Sequence, residues 1–238
     1  MPEAKGLLSD RIALITGASR GIGSAAATRF AAEGAHVILV ARTVGGLEEV
    51  DDKIRELGGT ATLVPLDLTR FQGIDELGAT VAERFGRLDI LVGNAAMLGL
   101  LGPLAHIDAE VWDQVMALNL TVNWRLIRSF DPLLRESDGG RVIFVTSGVA
   151  TGVFPYWGPY AVSKAALEML TRVYAGEVAK TRIRVNLFDP GAARTRMRAE
   201  AFPGEDPESL PPPETVIDAL VELASPACRR HGEVVRAS

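Results

Sequence analysis

Short apolar runs rich in β-branched residues alternate with longer stretches of helical period along most of this chain, and no other feature restricts the fold as much. The runs fall at residues 11–16, 35–41, 60–66, 88–93, 141–146 and 183–188; helical patterns occupy 20–33, 45–57, 70–85, 110–135 and 160–180. Strand, helix and strand in succession make βαβ units, which build a parallel sheet. Segments such as Val37-Ile38-Leu39-Val40 and Val142-Ile143-Phe144-Val145 are apolar at every position, as strands covered by helices on both faces must be. The expectation is an α/β chain: one doubly wound parallel sheet in a three-layer α/β/α arrangement, a single domain over residues 1–238. One stretch breaks the pattern. From Met197 to Pro213 the chain carries Pro203, Pro207 and Pro211-Pro212-Pro213 among acidic and small residues, which reads as a surface loop or, more sharply, a substrate lid at about 196–213.

Charge and cysteine content narrow the function classes. Lys and Arg number 25 against 30 Asp and Glu, a net charge of −5 without a basic run, which argues against a nucleic-acid partner. Cys228 is the only cysteine, so no internal disulfide can form and a reducing, cytoplasmic setting is expected. Cys and His do not cluster, so no metal site is expected. The first ten residues lack a cationic start feeding an apolar segment, and no apolar stretch approaches bilayer length, so no membrane partner is expected either.

The first apolar run leads into Thr16-Gly17-Ala18-Ser19-Arg20-Gly21-Ile22-Gly23 and an alanine-rich helical pattern. Residues without Cβ let backbone N–H groups and a helix N-terminus close on a phosphate, so a glycine-rich turn after the first strand of a βαβ unit predicts a Rossmann-type dinucleotide site. Gly17, Ser19, Arg20, Gly21, Ile22 and Gly23 are its candidate contacts. About twenty residues beyond such a loop an NAD site presents an acid to the ribose 2′-hydroxyl. Here the second strand ends Val40-Ala41-Arg42-Thr43. A 2′-phosphate favours a guanidinium over a carboxylate, so Arg42 with Arg20 predicts NADP(H) in preference to NAD(H).

Tyr160 and Lys164 stand at i and i+4 of a helical pattern and therefore share a face. An ammonium beside a phenol favours the phenolate, one route to a tuned acid/base. Ser147 closes the preceding strand, at the carboxyl edge where doubly wound sheets place ligands.

With these motifs in order, the chain resembles the short-chain dehydrogenase/reductase family over nearly its whole length, and within it a subgroup of small bacterial members. The glycine loop is similar to the family's cofactor turn; Asp67-Leu68 matches the pair at the adenine; Asn94-Ala95 follows the fourth strand as in the family's NNAG element. Asn119, Ser147, Tyr160 and Lys164 hold the active-site spacing, and Pro190-Gly191 with Thr195 looks like the segment that holds the nicotinamide carboxamide. The resemblance implies reversible interconversion of a ketone or aldehyde with an alcohol by hydride transfer. In it Tyr160 exchanges the proton, Ser147 holds the substrate oxygen, Lys164 lowers the Tyr160 pKa and binds the nicotinamide ribose, and Asn119 anchors a water on a relay to solvent. It also implies a homodimer or homotetramer, the dimer through the helices at 110–135 and 160–180.

Three departures stand out. The NNAG element reads Gly93-Asn94-Ala95-Ala96, an acid, Asp189, precedes Pro190-Gly191, and the chain ends at Val234-Val235-Arg236-Ala237-Ser238 without the family's glycine-containing tail. The residues Leu98, Leu100, Val149, Phe154, Tyr156, Trp157, Phe188 and Met197 sketch a pocket for a moderately apolar carbonyl compound. Two other functions use parts of the same sequence. A dinucleotide sensor would keep the fold without turnover, but it has no need of Ser147, Tyr160, Lys164 and Asn119. Gly17-Ala18-Ser19-Arg20-Gly21 is also a literal GxSxG, the nucleophile elbow of a serine hydrolase, for which His36, His106 and His231 are poorly placed partners.

Overall fold

The computed structural model describes residues 6–237. Seven parallel strands form one sheet in the order β3-β2-β1-β4-β5-β6-β7: β1 (Ile12–Thr16), β2 (His36–Ala41), β3 (Thr60–Pro65), β4 (Ile90–Gly93), β5 (Arg141–Val145), β6 (Arg184–Asp189) and β7 (Val234–Arg236). The chain runs outward from β1 to β3, returns to the other side of β1 at β4, and continues outward to β7. That reversal opens a crevice above the carboxyl ends of β1 and β4, where ligands of open parallel sheets lie.

Two apolar layers cover the sheet. On one face Ala26, Phe30, Leu47, Ile54, Leu220 and Val221 bring α1 (Gly21–Ala32), α2 (Val44–Glu56) and α8 (Asp218–Ala224) onto Ile15, Leu39 and Ile143. On the other, Ile74, Leu126, Phe130, Leu167 and Val178 bring α3 (Gln72–Phe85), α5 (Val122–Glu136) and α6 (Gly158–Val178) onto Leu14, Leu91, Val142 and Leu187. Successive residues of one strand feed opposite layers, which is why these strands are apolar throughout.

The helical pattern at 110–135 resolves into α4 (Ala109–Met116), a π-helical turn (Ala117–Thr121) and α5, so the expected single helix carries a bulge in its middle. The proline-rich segment is ordered into α7 (Arg196–Ala201) and two 3₁₀ turns, Pro207–Ser209 and Pro213–Val216. Among the described residues no helix is long and apolar enough to cross a membrane.

Candidate active site

A cleft of about 1250 Å³ lies over the carboxyl ends of the strands. It gathers Gly17, Ser19, Arg20, Gly21 and Ile22 from the end of β1, Arg42 from β2, Asp67 and Leu68 from β3, and Asn94 and Ala95 from β4. Ser147 from β5, Tyr160 and Lys164 from α6, and Pro190, Gly191 and Thr195 beyond β6 line its other end. The sequence thus places its candidate contacts in one site, with two exceptions, Gly23 and Asn119, which stand behind its wall.

The glycine-rich turn is built by exclusion of side chains. Gly17 has φ 65°, and a Cβ at Gly23 would fall 2.2 Å from the Gly17 carbonyl oxygen and 2.6 Å from Asn94 Nδ2. Only glycine satisfies that approach. Asn94, which lines the cleft, also clamps the turn: its Nδ2 donates to the Thr16 carbonyl at 2.8 Å, while its own N–H and that of Ala95 donate to Thr16 Oγ1 at 2.9 and 3.0 Å. The departure at Gly93 has a packing cause. A Cβ there would meet Phe144 Cδ1 and Asn123 Oδ1, both at 2.3 Å, so the Phe144 ring fills the space that a side chain at position 93 would need.

Arg20 and Arg42 are exposed at the cleft rim, and neither makes an ion pair among the described residues. Asp67 accepts from Thr69 Oγ1 at 2.7 Å and from the Thr69 N–H at 3.0 Å. The hydroxyl bond foremost, with the Thr69 N–H and the charges of Arg42 and Arg70 adding to it, holds the carboxyl below its ordinary range, ionised and oriented.

At the chemical end, Lys164 Nζ donates to the Val145 carbonyl at 2.7 Å and lies 5.7 Å from the Tyr160 ring centroid. Both side chains are buried. Burial pushes the Lys164 ammonium down to about 8. It pushes the Tyr160 phenol up to about 12, with the Asp189 charge adding to the rise and a hydrogen bond with Ser147 opposing it. Enclosure is thus the largest influence on both groups, favouring the neutral form of each.

Asn119 sits in the π-helical turn, fully buried. Its Oδ1 accepts from the Met97 N–H at 2.9 Å, and its Nδ2 donates to the Met97 carbonyl at 2.9 Å and to Ser163 Oγ at 3.0 Å. Its backbone carbonyl accepts from Asn123 Nδ2 at 2.8 Å. These bonds fasten the strand-exit loop after β4 to α6, where Ser163 Oγ in turn donates to the Tyr160 carbonyl at 2.8 Å.

Asp189 acquires a structural account. It ends β6 beside Arg236 of β7, with Oδ2 3.3 Å from Arg236 Nε and Oδ1 accepting from the Gly191 N–H at 3.1 Å. The pair fastens the last strand to the turn that follows β6.

The pocket sketched from the sequence is half right. Leu98, Leu100, Trp157 and Met197 line the cleft, and Val149 packs on Leu98 and Tyr160 just behind it. Phe188 does not belong: it is wholly buried with the layer that holds α8, because its neighbour Asp189 takes the opposite face of the strand. Phe154 and Tyr156 lie outside the lining, Phe154 packing edge-on against Trp157 with centroids 6.5 Å apart. Met97, Arg194, Arg198 and Phe202 also line the cleft and were not singled out. The aromatic at 202, among prolines, was the available signal. None of His36, His106 and His231 lines the cleft that holds Ser19; His36 bonds to Thr60 and Thr62, and His231 to Val185 and Ala175.

The family model for short chain dehydrogenases matches residues 11–206. An uncharacterized Escherichia coli oxidoreductase, YciK, is 38% identical over 227 residues, covering 94% of this chain and 90% of its own. A Streptomyces virginiae A-factor type gamma-butyrolactone 1′-reductase is 35% identical, covering 100% of this chain and 96% of its own. The crystal structure of an Escherichia coli chain complexed with NADPH superposes with a TM-score of 0.93 at 37% identity, covering 99% of each chain.

Proposed function

The chain belongs to the short-chain dehydrogenase family, and from that premise we propose that it is an NADP(H)-dependent oxidoreductase that interconverts an apolar ketone or aldehyde with its alcohol, Tyr160 serving as the acid/base. The observation that carries the reading is the convergence of Ser147, Tyr160 and Lys164 at one end of a cleft whose other end is a side-chain-free turn flanked by Arg20 and Arg42. A cradle that a Cβ would fill suits a pyrophosphate, and two exposed guanidiniums at the rim suit a 2′-phosphate. Relatives complexed with NADP and NADPH support the choice of dinucleotide.

The nicotinamide ring supplies or takes the hydride when bound. Ser147 holds the substrate oxygen against Tyr160, and the Tyr160 phenol, held protonated by burial, donates its proton to that oxygen as the carbonyl is reduced. Lys164, fixed by the Val145 carbonyl, sets a positive charge near the phenolate left behind and presents donors to the nicotinamide ribose. Asp67 receives the adenine, and Pro190, Gly191 and Thr195 the carboxamide. A protonated resting phenol suits reduction better than oxidation, since only the reductive direction begins with proton donation.

The segment 196–213 closes the cleft as a lid in this reading. Trp124 of α5 with Met169 and Val173 of α6, all exposed, form the apolar face through which two copies pair as a homodimer. The decisive experiment is titration of the protein with NADPH and NADH by nicotinamide fluorescence and melting temperature, followed by an NADPH-coupled screen of ketones and aldehydes. Binding of neither dinucleotide overturns the proposal.

A further inference from the structure

One side of the substrate end of the cleft is a continuous aromatic ladder. Arg198 lies over the Phe202 ring at 3.8 Å; Phe202 and Trp157 have centroids 5.6 Å apart; Trp157 and Tyr160 are 6.1 Å apart. Each spacing falls in the range of favourable ring contacts. Both ends of the ladder are fixed. Arg198 grips Glu205 in a bidentate pair, 2.6 Å from Nε to Oε2 and from Nη2 to Oε1, which fixes the guanidinium that covers the Phe202 ring. Arg194 fastens the rest of the segment through Glu208 at 2.8 Å and the Pro211 carbonyl, the latter bonded to its N–H at 2.8 Å.

Trp157 is held by an uncommon device. Tyr156 has φ 73°, a left-handed conformation that a bulky residue rarely adopts, and its carbonyl accepts from the Gly102 N–H at 2.8 Å while Gly102 and Trp157 form a β-bridge. Such strain persists only where the surroundings impose it, and here it aims one indole at the cleft, with the Phe154 edge behind it.

We propose that Trp157 and Phe202 make this site selective for carbonyl compounds whose carbonyl carbon bears a flat aromatic ring. The proposal deepens the reading of Tyr160 as proton donor and rests on it. A carbonyl oxygen held by Ser147 and Tyr160 leaves its substituent in the part of the cleft that Trp157 flanks, the indole lying 6.1 Å from the Tyr160 ring. A saturated ring gains only buried area on that wall; an aryl ring gains the offset or edge-on contact as well. Met97, Met197 and Leu98 complete a pocket of polarizable and aliphatic side chains.

The test is the ratio of kcat/KM for benzaldehyde to that for cyclohexanecarbaldehyde, with NADPH, in the wild type, Trp157→Leu and Phe202→Leu. Leucine keeps the wall apolar and removes the π face, and the intrinsic reactivity of each aldehyde cancels when ratios are compared between proteins. The aryl/cyclohexyl ratio is expected to fall about three- to tenfold in Trp157→Leu and in the same direction in Phe202→Leu. Phe202 is partly exposed, so its variant folds even if the indole proves essential to the loop. A ratio unchanged in Phe202→Leu and in any folded Trp157→Leu overturns the proposal. Wild-type reduction of straight-chain ketones but of neither ring aldehyde also overturns it and leaves the oxidoreductase reading standing; a panel in which no carbonyl is reduced defeats both.

Discussion

Lys164 Nζ, enclosed beneath Tyr160, donates a 2.7 Å hydrogen bond to the carbonyl of Val145, the last residue of β5. The bond ties α6 to the strand that leads into Ser147, and it is made by a charge that burial disfavours. The folded protein binds the lysine proton less tightly than the unfolded chain, about 8 against 10.5, so this group lowers stability at neutral pH and stops doing so as pH rises through that window.

Lys164→Met should therefore separate stability from function. At pH 7 the variant is expected to be more stable by about 1–2 kcal/mol in urea unfolding, the relief of a desolvated charge outweighing the orphaned Val145 carbonyl. Turnover should fall at least about a hundredfold. A variant less stable than the wild type at pH 7 would show that the hydrogen bond outweighs desolvation.

The pH dependence of reduction should report two groups in the same sense, at different pH. Tyr160 must be protonated to donate and Lys164 must be charged to assist, so activity is lost as each deprotonates. The kcat/KM for NADPH reports the free protein, in which Lys164 loses its proton near 8 and Tyr160 only near 12. A decline beginning near pH 8 and present in Ser147→Ala is expected. Tyr160→Phe should lower turnover at least about a hundredfold at every pH while the NADPH-induced shift in melting temperature persists. Substantial turnover in that variant would remove Tyr160 from the proton-transfer role.

Arg20 and Arg42 stand exposed on two different elements at the rim of the cleft, and neither makes an ion pair within 4 Å among the described residues. Each charge-assisted bond to a phosphate contributes about 1.5–3 kcal/mol, so Arg42→Ala and Arg20→Ala should each weaken NADPH about ten- to a hundredfold and leave NADH within about twofold. Fluorescence titration of both cofactors measures this directly. Equal weakening of NADH would assign the arginines to the pyrophosphate or to the fold.

Most of this architecture is legible in the sequence because its causes are local and periodic. The apolar runs that become β1 to β6 face helices on both sides, Gly17 and Gly23 stand where backbone approaches backbone, and Gly21 takes a φ of 57°. What escapes has other causes. The three residues of β7 are too few for a period to show, and they are placed by long-range pairing with β6, to which the Asp189–Arg236 ion pair adds. The π-helical turn at Asn119 depends on Met97 and Ser163, distant in sequence. Phe188 and Asp189 sit side by side with opposite fates, and strand register alone decides which one sees the cleft. The Tyr160 pKa is the clearest case. The i+4 spacing displays the lysine that would lower it and conceals the enclosure that raises it.

Two glycines nearby in the chain should respond in opposite directions to the same methyl group. At Gly23 the added Cβ would lie 2.2 Å from the Gly17 carbonyl oxygen and 2.8 Å from its carbon, backbone atoms that cannot yield without opening the turn. Overpacking of this kind costs about 1–3 kcal/mol, and the displaced turn loses its aim at the phosphates. Gly23→Ala should melt lower and show no NADPH-induced stabilisation. Gly45, in the first turn of α2, has nothing within 4 Å of its built Cβ. Gly45→Ala should gain about 0.5 kcal/mol from the reduced entropy of the unfolded chain and bind NADPH as the wild type does. Thermal melts of both variants with and without NADPH decide the matter: a Gly23→Ala protein that keeps wild-type affinity would mean that the turn tolerates a side chain, and the cradle would not be what selects the dinucleotide.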